Sequence, residues 1–109
     1  MIELKLNRYA KKVDNFLLNF LKRQSKSLLV SPMKYGVISG GKKIRSTIIF
    51  DFGKLLKVDK KKLVSIGAAV ECIHSYSLIH DDLPCMDNDS IRRGKPSTHV
   101  KFGESTAVL

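Results

Sequence analysis

The sequence predicts an all-α fold, on three observations. Apolar residues recur at helical spacing through most of the chain, glycines and prolines fall between those segments, and no stretch alternates polar and apolar residues as a half-buried strand would. Its 109 residues suffice for one modest core and one domain at most.

In order, Ile2, Leu6, Tyr9, Val13, Phe16, Leu17, Phe20 and Leu21 are spaced as one face of an amphipathic helix, with Lys5, Lys11, Lys12, Asn15 and Lys22 between them. The pattern frays over 25–31. Pro32 suits the first turn of a short helix, and Gly36, Gly40 and Gly41 then punctuate the chain. Ile44, Ile48, Phe52, Leu55 and Leu56 form a second stripe, closed by the link KVDKKK. Asp59 is placed to cap a third long helix, from Lys60 to about Asp82. Its centre, IGAAVECIHSYSLIH, is apolar or small nearly all round, the mark of a helix buried among others. Beyond the turn at Gly94 to Pro96, another helix begins.

The formal charge of +10 would suit nucleic acid, an anionic membrane or phosphorylated ligands. Most of the excess is lysine spread thinly along the chain, which fits a solvated surface better than one binding patch. Cys72 and Cys85 have neither CxxC nor Cys/His spacing, so no disulfide framework or zinc site is indicated and a reducing, cytoplasmic setting is expected. No signal-peptide core and no run of about 18 apolar residues is visible, so no stable membrane insertion is expected. The final GESTAVL carries no helix stop, and the chain reads as the N-terminal part of a single domain whose C-terminal part is missing.

Four of the ten carboxylates, Asp81, Asp82, Asp87 and Asp89, crowd into nine residues, followed by Arg92 and Arg93. Acids at the C-terminal end of a buried helix oppose its dipole and repel one another unless a cation holds them. Oxygen-only donors suit a hard ion such as Mg²⁺, which completes its shell with water and substrate phosphate. Positions 81 and 87 would face different sides of an unbroken helix, but Pro84 permits a bend that returns Asp87 toward Asp81. The arginines add guanidinium forks for phosphate oxygens. An EF-hand beginning at Asp87 fails, with Ile91 where an oxygen ligand is needed and Arg92 where the turn requires glycine.

GVISGGKK, Gly36 to Lys43, fits seven positions of a P-loop but ends on lysine where a hydroxyl must ligate Mg²⁺. Its backbone amides beside Lys42, Lys43 and Arg45, before a helix N-terminus, still predict an anion site. His74 lies seven residues before Asp81, on the same side of the helix, and is a candidate ligand.

GGKKIRS together with AAVECIHSYSLIHDDLPCMDNDSIRRGKPSTHVKFGE resembles the polyprenyl diphosphate synthases, the trans-prenyltransferases. The resemblance covers roughly residues 33–109, and its DDx₄D motif followed by RRG is specific. It implies the N-terminal helices of an isoprenoid-synthase-type bundle and the condensation of an allylic diphosphate, dimethylallyl or geranyl, with isopentenyl diphosphate.

By the same resemblance Asp81, Asp82 and Asp87 bind Mg²⁺, Arg92 grips the allylic diphosphate, and Lys42, Arg45, His74 and Arg93 hold isopentenyl diphosphate. A cytoplasmic homodimer is implied for the full-length protein, and this piece alone is expected to be inactive. Tyr76 and Ser77, five and four positions before Asp81, are the expected chain-length residues. A rise of about 1.5 Å per residue puts Tyr76 about 7 Å down the helix, which favours farnesyl over geranylgeranyl diphosphate as product. Lys43 stands where the family usually has arginine and Ser46 where it has proline, the latter outside the expected contacts. The rivals are a terpene cyclase, which lacks the GGKxxR loop, and a basic nucleic-acid or membrane-surface protein driven by charge alone.

Overall fold

The computed structural model describes residues 2–38 and 40–109. Met1 and Ser39, the latter inside the glycine-lysine stretch, lie outside the described residues. Among the described residues, six helices and one small hairpin follow in the order α1 (Ile2–Lys22), α2 (Val30–Ile38), α3 (Ile44–Leu55), α4 (Lys60–Asp81), β1 (Ile91–Arg92), β2 (Lys95–Pro96), α5 (Thr98–Phe102) and α6 (Glu104–Val108). The all-α expectation holds, with a hairpin of two residues per strand added. The chain divides into two compact units, the first made of residues up to Arg23 with Lys42–Cys72, the second of Gln24–Gly41 with Ile73–Leu109; the continuous helix α4 contributes to both.

In the first unit α1 packs on α3 through Tyr9, Val13 and Leu17, spaced four apart on one face. The ring of Tyr9 stacks on that of Phe50, centroids 4.6 Å apart, and Leu63 and Ala68 of α4 complete the core. The α3 stripe read from the sequence is reversed. Ile48 and Phe52 are 51% and 63% exposed, and Ile44, Leu55 and Leu56 are exposed too, while Ser46, Thr47, Phe50 and Gly53 face inward. Close approach decided this. A Cβ on Gly67 of α4 would sit 3.1 Å from Ser46 Cβ, and one on Gly53 would meet Leu63 Cδ1 at 2.6 Å. The two hydroxyls are buried at little cost because both donate to the Lys43 carbonyl.

Helix α4 starts directly after Asp59, whose carbonyl accepts the Leu63 amide at 3.1 Å. Within this chain, packing covers only part of its surface. Leu63, Gly67, Ala68 and Glu71 are buried, but Ile66, Ile73 and Tyr76 are exposed, so packing covers one face only. By length and composition α4 could also cross a membrane, a test that the core helix of a soluble protein passes as well.

In the second unit Pro32 is buried in the first turn of α2, where a missing N–H costs nothing. Gly36 does not interrupt α2 but lies within it, because a Cβ there would come 2.5 Å from Ile79 Cδ1. The hairpin pairs Ile91 with Pro96 and Arg92 with Lys95. Its two turn residues, Arg93 and Gly94, both take positive φ, 52° and 74°, the backbone of a type I′ turn. The Tyr35 hydroxyl donates to the Pro96 carbonyl and so ties α2 to the hairpin. Gly103, at φ 94°, separates α5 from α6.

Candidate functional site

The end of α4 is built by the backbone before any side chain contributes. Its last carbonyls are satisfied by the loop that follows: the Asp87 amide donates to the Asp81 carbonyl at 2.8 Å, Asn88 to Leu83 at 3.0 Å and Asp89 to Asp82 at 3.0 Å. Asn88 takes the left-handed conformation that this reversal requires, at φ 54°. The chain therefore doubles back after Pro84, and residues 81 and 87 become neighbours although six positions separate them. Ser97 locks the far side, its hydroxyl donating to the Asp89 carbonyl at 2.7 Å and its amide to Ser90 at 2.9 Å.

Asp82 is 2% exposed, and both its oxygens are taken: Arg92 Nε donates to Oδ2 at 2.7 Å and Nη2 to Oδ1 at 2.8 Å. This fork-on-carboxylate pair is the strong, geometrically specific kind. Its hydrogen bonds raise the Arg92 pKa above its ordinary value, against the opposing effect of burial. Asp82, named with Asp81 and Asp87 for the metal, has both oxygens turned inward to Arg92 in this structure. Among the described residues no group of three or more His, Cys, Asp or Glu side chains is gathered to hold an ion, so the expected trio of Asp81, Asp82 and Asp87 is not assembled as such. Asp81, half-buried, and Asp87, exposed, remain as two carboxylates on adjoining backbone.

Arg93 follows Arg92 but leaves the strand in the left-handed turn conformation. Its guanidinium packs against Gly41, where an added Cβ would meet Nη2 at 2.7 Å and Cζ at 2.8 Å. The glycine is needed for that close approach, and it brings the glycine pair and the arginine motif together within the second unit. On α4, His74 is half-buried and its carbonyl accepts the Ser77 hydroxyl at 2.7 Å. Tyr76 is 55% exposed, its ring edge-on to His80 at 5.2 Å, and His80 Nε2 lies 3.0 Å from the Val108 carbonyl.

In the first unit the cations of GGKKIR separate. Lys42 and Arg45 are exposed, whereas Lys43, the left-handed N-cap of α3, is 7% exposed with Nζ 2.9 Å from Asp14 Oδ1. Lys43 therefore does not belong to the expected anion site. The start of α3 already holds an anion of its own, because buried Glu71 accepts the Ser46 amide at 2.9 Å. Ser46, expected to lie outside the important contacts, provides the N–H that proline could not. Glu71 was visible in the sequence as a polar residue in an apolar helix, but nothing there indicated its partner.

With this geometry in place, residues 26–109 match the model of the polyprenyl synthetase family. The chain is 53% identical over 105 residues to the farnesyl diphosphate synthase of Buchnera aphidicola from Acyrthosiphon pisum, a match covering 94% of this chain and 37% of that relative. Two solved structures superpose closely. A geranyltransferase from Legionella pneumophila gives a TM-score of 0.90 at 43% identity, and an FPP/GFPP synthase from Zymomonas mobilis gives 0.89 at 41%; each match covers 94% of this chain, and 37% and 38% of theirs. The fold and these matches define an isoprenoid-synthase-type α-helical protein. The chain belongs to the polyprenyl synthetase family and spans somewhat more than a third of the length of these relatives.

Proposed function

We propose that the protein carrying this chain is a prenyl transferase, condensing dimethylallyl or geranyl diphosphate with isopentenyl diphosphate to give farnesyl diphosphate. The observation that carries this reading is the loop after α4. It adjoins Asp81 and Asp87 through the backbone, leads into Arg92, which a buried carboxylate orients, and into Arg93, whose guanidinium lies against Gly41. The names of the relatives, farnesyl diphosphate synthase and geranyltransferase, support it.

Asp81 and Asp87 offer hard oxygen donors in the number Mg²⁺ takes from protein when water and substrate phosphate complete its shell, so these two would hold it. Bound there, the ion supplies positive charge against a diphosphate leaving group. Asp82 acts instead as the positioning residue for Arg92, which keeps N–H donors for an allylic diphosphate beyond the two given to Asp82. Lys42, Arg45, His74 and Arg93 are assigned to isopentenyl diphosphate by family resemblance. Preorganised cations lower the barrier because they need not reorganise as the C–O bond breaks. Tyr76 is assigned to chain length, and a cytoplasmic homodimer is the proposed form, with small diphosphates rather than nucleic acid or membrane as partners.

The test joins this chain to the remaining part of the Buchnera relative and supplies geranyl diphosphate, isopentenyl diphosphate and Mg²⁺. Farnesyl diphosphate should form, and Asp81→Ala should lower kcat by about 10³-fold or more. A folded hybrid that makes no prenyl product, or an Asp81→Ala variant with ordinary turnover, would refute the proposal.

A further inference from the structure

The second unit carries a cavity of about 310 Å³ that none of the roles above uses. Its walls come from α2, β2 and α5: Ser31, Lys34 and Tyr35 on one side, Lys95, Lys101 and Phe102 on the other. Three lysines line it and no carboxylate does. Lys101 Nζ is held 4.4 Å from the centroid of the Tyr35 ring and 5.7 Å from that of Phe102. The aromatic wall is itself braced, since the two rings meet edge to face at 5.5 Å and the Tyr35 hydroxyl donates to the Pro96 carbonyl. Lys34, Lys95 and Lys101 are exposed and gather positive charge around the cavity.

The geometry points to a second, non-catalytic site in this cavity for a phosphorylated ligand with a planar body, of the size of a nucleoside diphosphate. Lys34, Lys95 and Lys101 take the phosphates as point charges. Phe102, braced by the edge-on Tyr35 ring that Lys101 covers, provides the apolar wall on which a base rests, a contact that tolerates any base because every base has a π face. The volume lies at the lower end of small-molecule pockets, which favours a mononucleotide over a long prenyl chain.

The experiment is a titration of the full chain with fluorescent ADP in EDTA at low salt, with competition by unlabelled ADP and by inorganic pyrophosphate. Saturable binding is expected, displaced by ADP more effectively than by pyrophosphate. The double variant Lys34→Ala, Lys101→Ala should weaken it at least about tenfold, and Phe102→Leu should weaken it while leaving pyrophosphate competition unchanged. Arg93→Ala, in the proposed catalytic machinery, should leave ADP binding within about twofold. If circular dichroism shows that the double variant is unfolded, Lys95→Ala on the exposed hairpin makes the same test. Absence of saturable ADP binding, or equal loss in Arg93→Ala, would overturn the site; equal competition by pyrophosphate would overturn its planar-ligand character.

Discussion

Replacing Asp82 by alanine removes the acceptor of both Arg92 hydrogen bonds, at 2.7 and 2.8 Å, from a position that is 2% exposed. Each charge-assisted bond is worth about 1.5–3 kcal/mol. The sum overstates the loss, because the Arg92 side chain is 34% exposed and water can replace part of what it gives up. The expected loss is about 2–3 kcal/mol, read from urea unfolding of the full chain by circular dichroism. Arg92→Ala should cost at least as much as Asp82→Ala, since it leaves the buried carboxylate unpaired, whereas the guanidinium left by Asp82→Ala is part-exposed and can take water. In the double variant the two effects should fail to add by at least about 1 kcal/mol. An Asp82→Ala protein within about 0.5 kcal/mol of the parent, or strictly additive effects, would show that the pair does not organise this loop.

The two close-packed glycines should behave oppositely. Gly53→Ala drives a Cβ into the buried Leu63 side chain and should destabilise by about 1–3 kcal/mol in the same unfolding assay. Gly41→Ala meets only the movable end of Arg93, so stability should change by less than about 1 kcal/mol while, under the proposed function, the KM for isopentenyl diphosphate rises. Glu71→Ala leaves the Ser46 amide without its acceptor and should cost about 1–3 kcal/mol, with Glu71→Gln recovering part of it. Burial, and then the neighbouring Glu71 carboxylate, push the Cys72 thiol above its ordinary pKa of 9.0, while Cys85 is exposed. Iodoacetamide at pH 8 should therefore label Cys85 first, as peptide mapping would show. Because the folded-state pKa is raised, the Cys72 contribution to stability is complete below pH 9.0 and is lost as pH rises from there through the raised folded-state pKa.

How much was legible beforehand varied with how local the cause was. The ends of α1 and α4, the proline in the first turn of α2 and the bend after Pro84 follow from spacing and backbone restriction, and each lies within a residue or two of its expected place. The hairpin was missed because two-residue strands carry no alternation to read; its one sequence sign was Arg93-Gly94 at a position that demands positive φ twice. The inward face of α3 was misread for a different reason. Hydrophobicity marked Ile44, Ile48 and Phe52, but Ser46 and Gly53 face the core because only small residues admit the neighbouring helix so closely.

The sequence by itself determined the helical class, the family motifs and the chemistry gathered after α4, because those depend on residue type and spacing within a few turns of chain. Only the tertiary structure decided which charges pair with which. It made Asp82 the buried partner of Arg92, sent Lys43 inward to Asp14, and placed Glu71 at the start of α3. A charge removed from water must find its counterpart, and that counterpart can stand tens of positions away in the chain, where spacing carries no trace of it.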